Sequence, residues 1–216
     1  VAMTLLSLII AVPLGIFSAI FLVEYAKRGN RFIGVIRLTT ETLSGIPSIV
    51  YGLFGMLFFV TTLKWGLSLL AGAFTMAIMI LPLVMRTTEE ALKSVPDSYR
   101  EGSFGLGAGK LRTIFRIVLP SAVPGILAGV ILAIGRIVGE TAALMYTSGT
   151  VAQIPKNVLG SGRTLALHMY VLANEGLHTD KAYATAVILL ILVIGINMLS
   201  GVIAKKITKG NGNGEN

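Results

Sequence analysis

The sequence contains no cysteine and few charged side chains. Of its 216 residues, 13% are charged and 54% are hydrophobic, whereas a soluble domain carries about 25% charged residues. The lack of cysteine excludes a disulfide framework and a thiolate metal site, and the two histidines are too few for a histidine metal cluster. A chain this apolar is expected to be an integral membrane protein.

Five segments are long and apolar enough to cross a bilayer as helices, which takes about 20 residues each. They cover residues 2–23, 45–63, 66–85, 120–146 and 183–204. The predicted fold class is therefore all-α, a polytopic bundle of membrane helices. Because the chain opens in an apolar run at Val1, we expect one further span upstream, which would make six.

Lysine and arginine gather on one side of this predicted topology. Most of them occupy the loops 24–38 and 86–116 and the C-terminal tail, and only Lys64, Lys156, Arg163 and Lys181 lie on the opposite side. Basic residues favour the cytoplasmic side, so we expect a multi-pass protein of the inner or plasma membrane with a cytoplasmic C-terminus. The net charge of +8 is then explained by topology and by contact with anionic membrane lipid, and nucleic acid is not expected as a partner. Residues 1–206 form the predicted transmembrane domain, and 207–216 form a flexible polar tail.

The cytoplasmic segment at about 86–119 has the pattern of a helical hairpin. Capping-box spacing occurs twice and predicts two helix starts: Thr87 with Glu90, and Ser98 with Glu101. Three glycines then predict a turn: Gly105, Gly107 and Gly109. Apolar residues at helical spacing follow the turn: Leu111, Ile114, Phe115 and Val118. An amphipathic hairpin outside the bilayer predicts a docking element for a partner protein.

Arg136 and Glu140 lie inside an apolar run, where a charged side chain costs about 2.5 kcal/mol or more. Their spacing of four residues puts both on one face of the predicted helix. Two roles are open, a mutual salt bridge that holds the bundle together or a functional site on a transport pathway. Arg86, at the cytoplasmic end of its span, is either a positive anchor or a second pathway residue.

Other polar or small residues in these spans are expected to be structural. Glu41 is expected to cap a helix or to pair near the cytoplasmic face. Three glycines of the second span are expected to permit close helix approach: Gly45, Gly52 and Gly55.

The hairpin resembles the EAA loop of binding-protein-dependent ABC importer permeases. That motif reads Glu-Ala-Ala, three residues, glycine, nine residues, isoleucine, one residue, Leu-Pro. The matching positions are Glu101, Gly107, Ile117, Leu119 and Pro120, while Gly102 and Ser103 replace the two alanines. Both replacements are small, so close helix packing is expected to survive at these positions. The resemblance implies a type I importer permease whose hairpin couples to an ATPase.

Further stretches resemble the permeases of phosphate importers, and the PstA type more closely than the PstC type: SGIPSIVYGLFG, RTTEEALKSVPDSYREGS and GRIVGETAALMYTSG. The resemblance implies ATP-driven import of inorganic phosphate. It also implies three partners, namely a PstC-like permease, a dimer of ATP-binding subunits and an extracytoplasmic phosphate-binding protein. ATP and Mg would bind to the ATPase, with no cofactor and no catalytic centre in this chain.

In such a permease, Arg136 would contact phosphate, because a guanidinium stays charged and offers a fork of donors. Glu140 would restrain Arg136, and Thr141 would add a hydroxyl. Other functions are open from the residues: a permease for another oxyanion, the PstC-like half, or an ion-coupled secondary transporter or channel. The last class is expected to show inverted repeats, and the sequence has no second copy of GETA or of the hairpin.

Overall fold

The computed structural model describes residues 1–26, 30–176 and 178–212, and for residues 203–212 the backbone alone. Along these residues nine helices follow one another without a strand, which confirms the all-α prediction. They are α1 Ala2–Tyr25, α2 Arg31–Ser44, α3 Ser48–Thr62, α4 Leu69–Lys93, α5 Asp97–Gly105, α6 Lys110–Gly139, α7 Ala142–Thr147, α8 Leu165–Glu175 and α9 Thr179–Gly212.

Four of these helices are long and apolar enough to cross a membrane: α1, α4, α6 and α9 as far as Val202. The helices α2 and α3 meet that criterion only as a pair, which is bent by 102°. The segment predicted as a span over 45–63 is therefore the second part of this bent pair, because Gly45, Ile46 and Pro47 separate α2 from α3. Pro47 accounts for the break, since the residue before a proline avoids the helical conformation.

The helix α4 is the central helix of the bundle. It packs against α1, α2, α3, α6 and α7, and Met76, Met79 and Ile80 are among its fully buried side chains. Because neighbours cover several of its sides, the membrane part of α4 is apolar nearly all round rather than along one stripe. The remaining helices are therefore arranged around α4.

Both predicted capping boxes are wrong. The helix α4 runs unbroken through Thr87, whose hydroxyl donates to the Leu83 carbonyl at 2.9 Å instead of capping a new helix. The helix continues because no further glycine or proline occurs until Pro96. Ser98 lies inside α5 rather than before its first turn.

The span predicted over 120–146 also has different bounds. The helix α6 begins at Lys110, so the predicted amphipathic helix and the span form one continuous helix of 30 residues. It ends at Gly139, because Glu140 has the extended backbone angles φ −73° and ψ 132°. The hairpin and the apolar run that contains Arg136 therefore belong to the same helix.

The last helix is longer than the sequence predicts. It begins at Thr179, and its backbone continues to Gly212, into the tail predicted over 207–216. Residues 213–216 of that tail lie outside the described residues, and so do Lys27 and Arg28 of the predicted basic loop.

Arg100 of α5 joins the hairpin to the ends of two long helices. It donates to Glu24 Oε1 of α1 from two nitrogens, at 2.8 and 3.1 Å, and the two side chains are 15% and 8% exposed. It also donates to the carbonyls of Leu92 and Val95, at 3.0 and 2.9 Å, where α4 ends and helical partners are lacking. Asp97 adds a contact at 3.2 Å. One guanidinium thus holds α1, α4 and α5 together.

Replacing Arg100 by glutamine is expected to lower the melting midpoint of the detergent-purified chain by about 6 °C or more, because it leaves the Glu24 carboxylate buried without its partner. The double variant Glu24→Gln/Arg100→Gln is expected to recover part of that loss. Thermal unfolding checks both, with Arg112→Gln as the control because Arg112 is exposed on the same hairpin. Equal midpoints for the Arg100 and Arg112 variants would contradict the role of the buried pair.

Candidate functional site

The chain breaks its helix where the sequence predicts an ion pair. Glu140 and Thr141 lie between α6 and α7, so Glu140 does not share a helix face with Arg136, and that prediction is wrong. Instead, Glu140 Oε1 accepts a hydrogen bond from the Ala143 backbone N–H at 3.1 Å. The first N–H groups of a helix lack partners within it, so the carboxylate caps the first turn of α7.

Arg136 lies on the last turn of α6, and its side chain is exposed in the isolated chain. No salt bridge joins it to Glu140 or to another carboxylate of the described residues. The negative end of the helix dipole favours a cation at this position. A guanidinium on a membrane helix does not face lipid without a large cost, so we expect water or another subunit beside Arg136.

The start of α7 lies against α3, the second helix of the bent pair. A Cβ atom on Gly52 would lie 2.8 Å from Ala143 Cα, so glycine is required for this close approach. A Cβ atom on Gly55 would come even closer to the side-chain oxygen of Thr75 of α4. The expected close packing is confirmed for these two glycines, whereas the position of Gly45 has only ordinary contacts.

Tyr51 connects this region to the end of α2. Its hydroxyl donates to the Leu43 carbonyl, in the last turn of α2, at 2.7 Å. The ring is buried, at 5% exposure, in the same apolar cluster as Ile137, the residue that follows Arg136. The two helix breaks thus meet in one group of residues, called here the break cluster: Tyr51, Gly52, Arg136, Glu140 and Ala143.

The hairpin has the turn that its glycines predict. Gly107 has φ 79°, in the left-handed region that favours glycine, and its N–H donates to the Phe104 carbonyl at 2.9 Å. The buried Ser103 hydroxyl lies 2.8 Å from Thr113 Oγ1 and so ties α5 to α6. A Cβ on Gly102 would have no neighbour within 4 Å, so the close packing expected at both small residues is confirmed for Ser103 alone.

The apolar stripe of the hairpin divides between an inner and an outer side. Ile114 and Val118 are buried in a cluster with residues of α1 and α4, whereas Leu111 and Phe115 are exposed. Leu106, at the turn, is 91% exposed. The exposed large apolar residues of the hairpin are called here the hairpin surface: Tyr99, Phe104, Leu106, Leu111 and Phe115.

The residues that match the EAA loop fall on both sides of this hairpin. Glu101 and Gly102 are exposed on α5 beside the hairpin surface. The last three matched residues are partly buried in the first half of α6: Ile117, Leu119 and Pro120. The N-terminal part of the motif is therefore available to a partner, while its C-terminal part packs into this chain.

Arg86 lies at the surface of α4. Its Nε donates to Glu90 Oε1 at 3.1 Å, and the two side chains are 67% and 65% exposed, so the pair contributes little to stability. Beside it, Arg37 of α2 pairs with Glu89 at 2.7 Å. A cavity of about 200 Å³ at this place is lined by both signs of charge, including Glu41. These charged and exposed surroundings agree with a role of Arg86 as a positive anchor at the end of its span. Its role on a transport pathway stays a prediction.

The titratable groups of the described residues form no metal centre. No three His, Asp or Glu side chains in that part of the chain are placed to hold an ion. In α8 the pKa of His168 is lowered from its usual value, first by burial and second by the positive charge of Arg163. Since that lowering starts from an ordinary value below 7, the ring is neutral at pH 7.

Comparison with known proteins gives one family and several relatives. Residues 11–210 match the family model of the binding-protein-dependent transport system inner membrane component. The probable ABC transporter permease protein YqgI of Bacillus subtilis (strain 168) is 35% identical over 94% of this chain and 76% of its own length. The phosphate transport system permease protein PstA 1 of Mycobacterium tuberculosis (strain ATCC 25618 / H37Rv) is 38% identical over 90% of this chain, which spans 64% of that relative.

Solved structures share the arrangement of helices. The inward-facing MetNI methionine ABC transporter has a TM-score of 0.74 at 19% identity, over 95% of this chain and 89% of that chain. The bacterial alginate ABC transporter bound to its periplasmic protein with an alginate pentasaccharide has a TM-score of 0.73 at 16% identity, over 96% and 76% of the two chains. At these identities the likeness establishes the fold alone.

Replacing Glu140 by alanine is expected to speed hydrogen exchange in residues 142–147 about fivefold, because the first turn of α7 loses a cap worth about 1 kcal/mol. Glu140→Gln keeps a side-chain oxygen that can accept from the Ala143 N–H, so its exchange should match the unsubstituted chain. Hydrogen–deuterium exchange of the detergent-purified protein measures both. Fast exchange in the glutamine variant would show that the negative charge, and not the cap, is what matters.

Proposed function

Since the chain belongs to the family of binding-protein-dependent transport system inner membrane components, we propose that it is the transmembrane permease subunit of an ATP-driven phosphate importer. Its fold is that of type I ABC importer permeases. Relatives named as phosphate transport permeases of the PstA type, at 38–44% identity, support phosphate as the substrate. Family membership argues against an ion-coupled secondary transporter or a channel.

The exposed Arg136 of the break cluster is the observation that carries the proposal. Broken membrane helices are tolerated where they line a cavity or a pathway, and two such breaks meet beside this guanidinium. Glu140 is engaged as the cap of α7, so it does not neutralise Arg136. We propose that Arg136 binds phosphate in transit through its fork of donors, and that Thr141 lies beside it on the pathway wall.

We also propose the orientation and the partners of the subunit. The basic residues of the hairpin support a cytoplasmic location for the hairpin and the C-terminus, and the apolar helices support residence in the inner or plasma membrane. A dimer of ATP-binding subunits docks on the hairpin surface and binds ATP and Mg, while this chain contributes no catalytic centre. A PstC-like permease forms the other half of the pathway, and an extracytoplasmic phosphate-binding protein delivers phosphate at the opposite end.

Arg136→Gln is expected to reduce ATP-dependent uptake of labelled phosphate at least about tenfold, because the pathway loses a charge-assisted contact to the anion. Arg136→Lys should retain part of the rate, because it keeps the charge and loses the fork. Proteoliposomes that contain the complete importer and its binding protein provide the measurement.

One control variant and two further tests accompany this uptake experiment. Lys156→Gln removes an exposed positive charge from the connection between α7 and α8 and should leave uptake unchanged, while Arg86→Gln tests whether Arg86 is more than an anchor. Labelled sulfate in place of phosphate tests the alternative of another oxyanion. Full phosphate uptake by the Arg136→Gln importer would refute the pathway role.

Leu106→Asp is expected to weaken association with the ATPase subunits at least about tenfold, because a buried apolar anchor of an interface is replaced by a charge. The matched control is Ile154→Asp, since Ile154 is 93% exposed and Leu106 is 91% exposed, so neither variant should disturb the fold. Co-purification of the ATPase with this chain reports the outcome. Equal retention of the ATPase by both variants would show that the hairpin surface is not the docking site.

A further inference from the structure

A cavity of about 450 Å³ lies at the end of the bundle opposite the hairpin. It lies between the beginning of α1, the last turns of α6 and the middle of α9, and the segment before α8 forms its rim. Its walls are apolar and include Leu5, Leu8, Ile134, Val138, Leu189 and Leu192. The proposed phosphate pathway does not use this cavity, because Arg136 is not among its lining residues.

Arg163 is the only charged side chain among the described residues that line the cavity. Its Nη1 donates to the Thr150 carbonyl at 3.2 Å. Its Nε atom is buried and has no hydrogen-bond partner among the described residues. Buried donors are nearly always paired in proteins, and a donor that belongs to a cation is especially costly to leave unpaired. Arg163 therefore calls for an acceptor, preferably a negatively charged one.

The start of α8 adds to the attraction for an anion at this rim. Thr164, whose hydroxyl accepts from the Leu167 N–H at 3.4 Å, and Leu165 also line the cavity. The N-terminus of an 11-residue helix carries partial positive charge from its unpaired N–H groups. The helix end and the guanidinium thus favour the same kind of ligand group, a phosphate.

We propose that this cavity binds an anionic phospholipid, with an acyl chain between α1, α6 and α9 and the lipid phosphate on Arg163. Ligand cavities of this size are mostly apolar, with a few polar groups that fix the orientation of the ligand. A free phosphate ion would gain from Arg163 but would gain nothing from the apolar walls. A phospholipid uses both, and the ends of membrane-spanning helices lie at the depth of lipid headgroups.

Native mass spectrometry of the full chain in mild detergent, titrated with phosphatidylglycerol, tests the charge at the rim. The unsubstituted chain is expected to retain one lipid, and Arg163→Gln to lower its occupancy about tenfold, because a charge-assisted hydrogen bond is lost. Lys156→Gln removes an exposed charge from the same connection, outside the cavity, and should retain the lipid. Retention by Arg163→Gln as strong as by Lys156→Gln would overturn the proposal.

A second pair of variants tests the apolar walls. Val138→Trp fills the cavity while keeping Arg163, and it should expel the lipid. Leu132→Trp lies on the same helix at a position that is 60% exposed and outside the cavity, and it should have no effect. Millimolar inorganic phosphate should leave the lipid in place. Displacement by phosphate, or equal retention by the two tryptophan variants, would refute a lipid site.

Discussion

Hydrocarbon offers no hydrogen-bond partner to a peptide group, and this constraint governs where the helices of the chain can be interrupted. Backbone groups freed by a break must find partners inside the protein. At the first break the Tyr51 hydroxyl donates to the Leu43 carbonyl, and at the second the Glu140 carboxylate accepts from the Ala143 N–H. The second break is partly buried, and α3 approaches the residues that follow it closely at Gly52, whereas Gly45 and Pro47 of the first break are exposed in the isolated chain. The same packing leaves Arg136 at the edge of the cluster.

Three arginines in this chain show how surroundings decide the role of one side-chain type. Arg100 is almost enclosed and has acceptors on α1, α4 and α5, so it holds helices together. Arg86 is exposed and has an exposed partner, which makes its pairing weak. Arg136 is exposed on a membrane helix without a carboxylate partner among the described residues. Of the three, Arg136 alone combines a membrane position with a charge that has no carboxylate partner among the described residues, and the proposed role of Arg136 in binding an anion rests on this combination.

Hydropathy was sufficient to predict four spans and the all-α class, because the length of an apolar run directly reflects bilayer thickness. The hairpin turn was predictable from Gly107, since positive φ is a local property of glycine. The capping boxes failed because a spacing of three residues recurs by chance inside a continuous helix such as α4. The sequence does indicate the bend between α2 and α3, because Gly45 and Pro47 both disfavour a continuous helix. The partners of Tyr51, Arg100 and Glu140 could not be predicted, because each depends on residues that only the tertiary fold brings close.

The continuity of α6 from Lys110 to Gly139 has a mechanical consequence. At 1.5 Å per residue, the helix places about 40 Å between the hairpin turn and Arg136. A helix of that length behaves as a lever arm, so a tilt of about 5° at one end displaces the other by roughly 3 Å. That displacement is comparable to the length of one hydrogen bond. It is therefore large enough to form or break a hydrogen bond between a guanidinium and an anion. If Arg136 binds the anion as proposed, a small movement of the hairpin would therefore be enough to change that binding inside the membrane.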